Sequence, residues 1–195
     1  MDKDTRVRAD HWVRQAFAGL SRSQIEEAFE KGWVRAAGGG RVAKGDKLEN
    51  AGGLDLKPLE NQLAKVREGN PALEVPVVFE NDEIWVVDKP AGVPGHPLKL
   101  SDDATLTHWA FRRDAKVKEQ FPEIQPTLTP HRLDTGTSGL QIVCKTAAAY
   151  EEWRRRFTAK EVTKTYQAWC WGVPEKEKWN IQSSIGKAPG DGSLR

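Results

Sequence analysis

The sequence predicts an α+β protein, and three patterns along the chain lead to this fold class. Residues 6–20 and 21–34 carry apolar side chains at helical spacing, which predicts two amphipathic helices. The run "VPVVFENDEIWVVDKP" has two β-branched apolar stretches on either side of "END", the pattern of a β-hairpin. The runs "LQIVCKT" and "KTYQAWCWG" are further predicted strands on either side of a helical segment. Because strands recur between helices, the second part of the chain is predicted to be α+β.

The first predicted helix has one apolar stripe, formed by Val13, Ala16, Phe17 and Leu20. The second begins at one of two capping-box patterns, Ser21 with Gln24 or Ser23 with Glu26, and ends at Gly32. Its buried face is predicted to consist of Ile25, Ala28 and Phe29. The stretches "GGGR" and "KGDK" predict tight turns between short strands. Residues 1–56 are therefore predicted to form a small first domain.

Residues 57–72 contain two prolines and mixed charges without a sustained apolar stripe, so we expect a linker there. Residues 73–195 are then predicted to form the second domain. Its helical segment places Tyr150, Trp153 and Phe157 on one face. Both cysteines, Cys144 and Cys170, lie in strand-like apolar runs and are predicted to be buried thiols.

The composition is that of an ordinary globular protein, with 38% apolar and 30% charged residues among 195. No apolar run reaches the roughly 20 residues that span a bilayer, and the N-terminus lacks the apolar core of a signal peptide. We therefore expect a cytoplasmic protein without a membrane partner. The net charge of +2 does not by itself indicate a nucleic-acid partner.

The stretch "HRLDTGTSGL", residues 131–140, is the strongest candidate for chemistry. In an extended chain, residues two apart point to the same side, so Arg132 and Asp134 would share a face. His131 and Leu133 would point the other way, into packing or supporting contacts. The alternative is that Asp134 caps the turn "TGTSG" and Arg132 is a surface charge.

Other chemistries fit the sequence poorly. The stretch "GTSG" lacks the G-x-S-x-G spacing that would make Ser138 an activated nucleophile. The histidines at 11, 96, 108 and 131 have no paired ligand spacing, and no C-x-x-C is present, which argues against a zinc site. "GGGR" lacks the Lys-Ser/Thr of a nucleotide-binding P-loop.

Basic residues cluster at 111–118 and 153–166. In the second cluster, Arg154, Arg155 and Arg156 are predicted to lie at the surface, because Trp153 and Phe157 face the core. A solvated helix face explains such a run equally well. Here the run leads to Tyr166, and arginines next to a ring that can stack on a base are what a single-stranded nucleic-acid groove needs.

Three motifs, "DKPAGVPGHP", "HRLDTGTSGL" and "KTYQAWCWG", occur in the order found in the RluA/RluD-type pseudouridine synthases, which the chain resembles from about residue 6 onward. The segment "RADHWVRQAFAGLSRSQIEEAFEKGWVR" resembles the S-four-like (alpha-L) RNA-binding module that often precedes that catalytic domain. The resemblance implies an RNA-binding module followed by a catalytic domain with a mixed, mainly antiparallel sheet. It also implies that uridine is converted to pseudouridine in structured RNA, without cofactor or metal.

The resemblance assigns roles to individual residues. Asp134 corresponds to the catalytic aspartate, Arg132 to an arginine that helps to extrude the target nucleotide, and Tyr166 to a tyrosine that packs on the target uracil. His131 and Thr137, in the same motif, are expected to contribute to substrate binding. Arg22 in the first domain is expected to bind RNA together with Arg154, Arg155 and Arg156.

The implied reaction explains why the motif needs a carboxylate. Breaking the bond between base and ribose leaves positive charge on the sugar, which a carboxylate beside the anomeric carbon can stabilise or attack. The carboxylate could instead remove the neighbouring ribose proton, and the sequence does not distinguish these routes. A base inside a stack is out of reach, so the nucleotide must be flipped at a cost of a few kcal/mol.

The family also has a later motif of the form R-x-H-Q-I-R, which is absent from residues 1–195. We therefore expect a catalytic domain that is incomplete at its C-terminus. The expected partner is ribosomal RNA, with transfer RNA as the alternative, and the complete protein is expected to be a monomer. Two other functions remain open at this point: a non-catalytic RNA-binding protein or inactive fragment of such an enzyme, and a hydrolase that uses Asp134 and His131.

Overall fold

A computed structural model describes residues 6–68, 72–122, 126–173, 175–178, 180 and 182. The chain divides into two compact units, Met1–Val162 and Thr163–Arg195. The first unit contains all of the named helices and strands. The predicted mixture of helices and antiparallel strands is confirmed.

The chain starts with short strands and two helices. Strand β1 (Val7–Arg8) leads into α1 (Ala9–Ala16), and α2 (Arg22–Glu30) follows. Strands β2 (Arg35–Ala36), β3 (Lys47–Leu48) and β4 (Leu54–Asp55) complete this part. Two antiparallel pairs form, β1 with β3 and β2 with β4. The two-helix, short-strand arrangement expected up to residue 56 is therefore present.

Helix α2 begins and ends as its sequence predicts. The Ser21 N–H donates to the Gln24 side chain at 2.8 Å, and the Gln24 N–H donates to Ser21 Oγ at 3.3 Å. This capping box starts the helix, so Ser23 lies within its first turn. Gly32 has φ +68°, the left-handed conformation that glycine adopts readily after a helix. Ile25, Ala28 and Phe29 are buried as predicted, whereas Ala16 of the first predicted stripe is exposed because α1 ends there.

The predicted linker is wrong over most of its length, because residues 57–66 form helix α3 (Lys57–Val66). Pro58 lies in its first turn, where the missing N–H costs no intrahelical hydrogen bond. Leu59, Leu63 and Val66 follow one another at helical spacing and are buried. These three residues form an apolar stripe on one side of the helix, which is hard to recognise in the sequence because charged and polar residues lie between them.

A three-stranded antiparallel sheet forms the centre of the second half, in the order β5 (Val77–Glu80), β6 (Ile84–Lys89) and β7 (Gly139–Cys144). The predicted hairpin around "END" is confirmed: Asn81 Oδ1 accepts hydrogen bonds from the N–H groups of Glu83 and Ile84. Strands β6 and β7 pair from Ile84 with Cys144 to Lys89 with Gly139. This register brings the carboxyl end of β6 next to the start of β7.

The two faces of the sheet pack against different helices. Helices α4 (Leu106–Arg113) and α5 (Ala115–Gln120) share a core with Trp85, Val87 and Val143. Helix α6 (Ala147–Thr158) covers the other face through Tyr150, Trp153 and Phe157, as predicted. Cys144 is buried in this second core, and burial raises the pKa of its thiol to about 12.

The second unit differs from the expectation in two respects. The predicted strand "KTYQAWCWG" does not form among the described residues, because no neighbouring strand there pairs with it through backbone hydrogen bonds. Trp169 and Trp171 are fully exposed there, and Cys170 is exposed, so the prediction of a second buried thiol is wrong. None of the described helices has the length and apolar character that a membrane-spanning segment requires.

Candidate functional site

The stretch 131–138, here called the HRLD loop, leads directly into β7. Exposure alternates along it as an extended chain predicts: Arg132 and Asp134 are exposed, whereas His131 and Leu133 are half-buried. Among the residues that the structure describes, no N–H or O–H group donates to the Asp134 carboxylate. The side chain of Asp134 therefore does not cap the turn, and its carboxylate is open to a ligand.

The first residue of the HRLD loop is held by β7 and α6. The Ile142 N–H donates to His131 Nε2 at 3.1 Å, and Gln141 Nε2 donates to the His131 carbonyl oxygen at 3.0 Å. The His131 ring packs on Phe157 with 4.4 Å between ring centroids. Since Nε2 accepts a backbone N–H, this nitrogen carries no proton of its own. These contacts give His131 a structural role, and its predicted contact with substrate stays a prediction.

The other end of the HRLD loop is a turn held by the residues after β6. The Thr137 N–H donates to the Asp134 carbonyl oxygen at 2.9 Å, which closes the turn. The Thr135 carbonyl oxygen accepts the Gly92 N–H at 2.7 Å. Asp134 is thus fixed between two anchored points, while Thr137 is half-buried and its predicted substrate contact stays a prediction.

Lys89 is a further member of the site that the sequence did not single out. It is fully buried, and its Nζ donates to the carbonyl oxygens of Pro90 at 3.0 Å, Val93 at 2.9 Å and Thr135 at 3.3 Å. Burial lowers the pKa of Lys89, and the nearby Asp134 carboxylate opposes that shift.

A signal for Lys89 exists in the alternation of β6. Lys89 shares its face with the buried Trp85 and Val87, four and two residues earlier. A lysine on the core face of a strand needs several acceptors; here the loop after β6 provides two of them and Thr135 the third.

The loop after β6, residues 90–105, is here called the crossover loop because it leads from β6 to α4. His96 on this loop is half-buried, and its pKa is lowered by burial and by the positive charge of Arg132. The Gly92 N–H donates to the Thr135 carbonyl oxygen, so the crossover loop lies alongside the HRLD loop. A phosphate would be attracted to Arg132 at this place.

The three arginines of α6 are exposed as predicted, yet two of them are paired with carboxylates. Arg155 contacts Glu152 at 3.0 Å and Glu161 at 2.8 Å, and Arg156 contacts Glu152 at 2.7 Å. Arg155 and then Arg156 lower the pKa of Glu152 to about 2. Arg154 reaches Glu151 only at 4.0 Å and is the most exposed of the three. It is the arginine of this helix that can contact a phosphate without losing a short ion pair.

A second basic feature lies in the first part of the chain. A cleft of about 300 Å³ there is lined by Arg8, Asp10, Arg14, Arg22, Ile25, Glu26 and Lys44. Asp10 pairs with Arg8 at 2.8 Å and Glu26 with Lys44 at 2.7 Å, while Arg22 is 3.5 Å from Glu26. Four cations against two carboxylates leave the cleft positive. Arg22 was expected to bind RNA, and the structure places Arg14 and Lys44 beside the same cleft.

Tyr166 lies in the second unit and is 61% exposed. Its ring is available to a partner from solution, as stacking on a base requires. Its predicted packing on the target uracil stays a prediction.

Comparison with known proteins gives these features a context. Residues 83–193 match the protein family described as RNA pseudouridylate synthase. The matched region includes β6, the HRLD loop and β7, and it begins after the first part of the chain with its cleft.

Several curated proteins resemble the chain over longer stretches. An uncharacterized RNA pseudouridine synthase of Chlorobaculum parvum is 28% identical over 94% of this chain and 56% of its own length. The ribosomal large subunit pseudouridine synthase D of Vibrio vulnificus is 28% identical over 85% of this chain and 50% of its own length. The dual-specificity RNA pseudouridine synthase RluA of Haemophilus influenzae is 35% identical over 56% of this chain and 47% of its own length. The chain spans about half the length of the curated relatives it matches.

Proposed function

Because the chain belongs to the RNA pseudouridylate synthase family, we propose that the protein converts uridine to pseudouridine in structured RNA. In this reaction the N1–C1′ bond of uridine breaks and a C5–C1′ bond forms. N1 gains a proton and the hydrogen of C5 is released to water. The reaction is an isomerisation, so no oxidant or co-substrate is consumed.

The observation that carries this proposal is the exposed Asp134 carboxylate on a loop anchored at both ends. Cleavage of the N1–C1′ bond places positive charge on the ribose, and a fixed carboxylate can stabilise or attack that carbon. The Lys89 ammonium supports the loop from behind, because its Nζ donates to the carbonyl oxygen of Thr135, the residue after Asp134. We assign the catalytic role to Asp134 on these grounds.

Arg132 and Tyr166 are assigned to the flipped nucleotide. Arg132 shares the exposed side of the HRLD loop with Asp134, where it can replace the extruded base in the stack or contact its phosphate. Tyr166 would pack on the uracil, and such stacking returns about 1–3 kcal/mol, comparable to the cost of flipping.

The positive cleft formed by Arg14, Arg22 and Lys44 is the proposed contact with RNA outside the active site. Cations that contact phosphates release counterions and strengthen binding without regard to sequence. We propose that residues 1–56 act as an S-four-like RNA-binding module in this way. Ribosomal RNA is the substrate proposed, since the relatives include a ribosomal large subunit pseudouridine synthase. The complete protein is proposed to act as a monomer.

The proposal is tested by incubating the protein with ribosomal RNA transcripts that carry tritium at C5 of uridine. Release of tritium to water reports the reaction directly, and sequencing chemistry specific for pseudouridine then maps the target. Transfer RNA transcripts labelled in the same way serve as the alternative substrate. Binding of both RNAs without tritium release would favour a non-catalytic RNA-binding protein.

A further inference from the structure

Glu27 on α2 is a buried carboxylate whose partners lie far away in the sequence. It is 8% exposed, and it accepts the Leu100 N–H at 2.7 Å and the Ser101 N–H at 3.2 Å. It also accepts the Ser101 hydroxyl at 2.5 Å. Both partners belong to the crossover loop, more than 70 residues further along the chain. A buried carboxylate needs such donors, because each unmet acceptor is costly away from water.

The side chain of Leu100 joins the same contact. Leu100 is fully buried, and it belongs to the core of the first part of the chain, with Val13, Ala28 and Leu59. Gln62 on α3 donates to the Leu100 carbonyl oxygen at 2.6 Å. Leu100 is therefore held through its N–H, its carbonyl oxygen and its side chain.

The crossover loop connects this anchored point to the HRLD loop. Asp102 accepts the N–H groups of Leu98 and Lys99, each at 2.9 Å, which folds the loop around Leu100. Earlier in the loop, the Gly92 N–H donates to the carbonyl oxygen of Thr135, the residue after Asp134. One loop thus contacts Glu27 at one place and the neighbour of Asp134 at another.

We propose that Glu27 is a positioning residue for the active site. By holding the N–H groups of Leu100 and Ser101, it fixes the crossover loop in the conformation that supports Thr135 and thereby Asp134. The first part of the chain then has two roles, since it braces the active site from one face and presents a positive cleft on another. The structural part of this inference stands on contacts alone, and its kinetic part rests on the proposed function.

The test compares Glu27→Gln with Glu30→Gln by hydrogen exchange of the backbone amides. Glu30 is an exposed residue of the same helix without a described ion pair, so it controls for loss of a charge on α2. In the Glu27 variant the amide nitrogen of glutamine replaces one acceptor and faces an N–H donor. Exchange at Leu100 and Ser101 should become about tenfold to hundredfold faster, the factor expected on losing a hydrogen bond to a charged group.

The decisive readout is whether the effect reaches the HRLD loop. We expect exchange at the Gly92 and Thr137 amides to accelerate as well, with kcat lowered and KM for RNA unchanged. Two results would show that Glu27 is only a structural contact. One is faster exchange confined to Leu100 and Ser101; the other is a Glu27→Gln variant with the same kcat as an active parent protein. If the Glu27 variant does not fold, Ser101→Ala takes its place, because it removes only the hydrogen bond from the Ser101 hydroxyl to Glu27. Exchange is then measured at the same backbone amides. An inactive parent would count against the proposed function and leave the exchange result valid.

Discussion

The ammonium of Lys89 lies 3.3 Å from the carbonyl oxygen of Thr135, the residue that follows Asp134. A fully buried cation thus supports the backbone of the loop that carries the proposed catalytic carboxylate. The same ammonium also binds the carbonyl oxygens of Pro90 and Val93, so it joins the crossover loop to the HRLD loop. This arrangement leads to the first prediction.

Replacing Lys89 with methionine should lower kcat by about tenfold to hundredfold, because the Thr135 carbonyl loses a donor and Asp134 loses a nearby positive charge. Stability should also fall, since buried carbonyl oxygens lose their partner. The measurements are kcat from tritium release and the free energy of unfolding in urea. Lys145→Met is the control, because Lys145 pairs with Glu80 away from the site. Its replacement should lower stability and leave kcat unchanged. Equal kcat values for the two variants would refute the role of Lys89.

The positive cleft of the first part of the chain leads to a prediction about salt. Replacing Arg14 and Arg22 together with alanine should weaken RNA binding and reduce the slope of log affinity against log salt by about 1 to 2, since each lost phosphate contact contributes slightly less than 1. Binding should be measured by titration at several salt concentrations. Arg41→Ala, an exposed arginine outside the cleft, should leave the slope unchanged. A double variant with the slope of the parent would mean that the cleft does not contact RNA.

The arginines of α6 should contribute unequally. Arg154→Ala should reduce the salt slope more than Arg155→Ala, because Arg155 is already paired with Glu152 and Glu161. Parallel titrations of the two single variants decide the matter. Identical slopes, both equal to that of the parent, would mean that this helix face is solvated and does not bind RNA.

His108 predicts a loss of stability in weak acid. Its ring is fully buried on α4, its Nδ1 lies 2.9 Å from Thr105 Oγ1, and burial lowers its pKa. A histidine whose pKa is lower in the folded protein binds a proton more readily in the unfolded chain. Protonation therefore stabilises the unfolded state relative to the folded state as pH falls below about 6.5. The contribution is thus complete above that pH and decreases below it. His108→Gln cannot titrate, so its free energy of unfolding should fall less between pH 7 and pH 5. Parallel curves for the two proteins would contradict the prediction.

Sequence patterns were informative wherever one local rule decided the structure. The Ser21–Gln24 capping box, the Asn81 hairpin and the exposed alternation of Arg132 and Asp134 each depend on a few neighbouring residues. The motif that carries the proposed catalytic residue could be recognised for the same reason, because its residues are contiguous.

What could not be read depends on contacts between distant segments. The sequence predicts a linker in place of α3, because Leu59 and Leu63 can be recognised as core residues only through their contacts with the rest of the first part of the chain. Glu27 looks like an ordinary surface charge in the sequence, and the alternation of β6 marks Lys89 as buried without showing its partners. The contacts of both residues with the crossover loop are visible only in the structure. The strand expected at "KTYQAWCWG" has suitable residues but no ladder partner among those described, which local propensity does not supply.

The account depends most directly on Asp134, and Asp134→Asn tests it. The change keeps the size of the side chain and removes the charge needed at the ribose, and loss of one positioned catalytic group costs about 10²- to 10⁴-fold. The measurement is the rate of tritium release from uridine-labelled RNA, with RNA affinity measured on the same preparations. We predict that release falls at least a hundredfold while affinity stays close to that of the parent. Release within about tenfold of an active parent, with RNA affinity unchanged, would contradict the assignment of Asp134 as the catalytic residue.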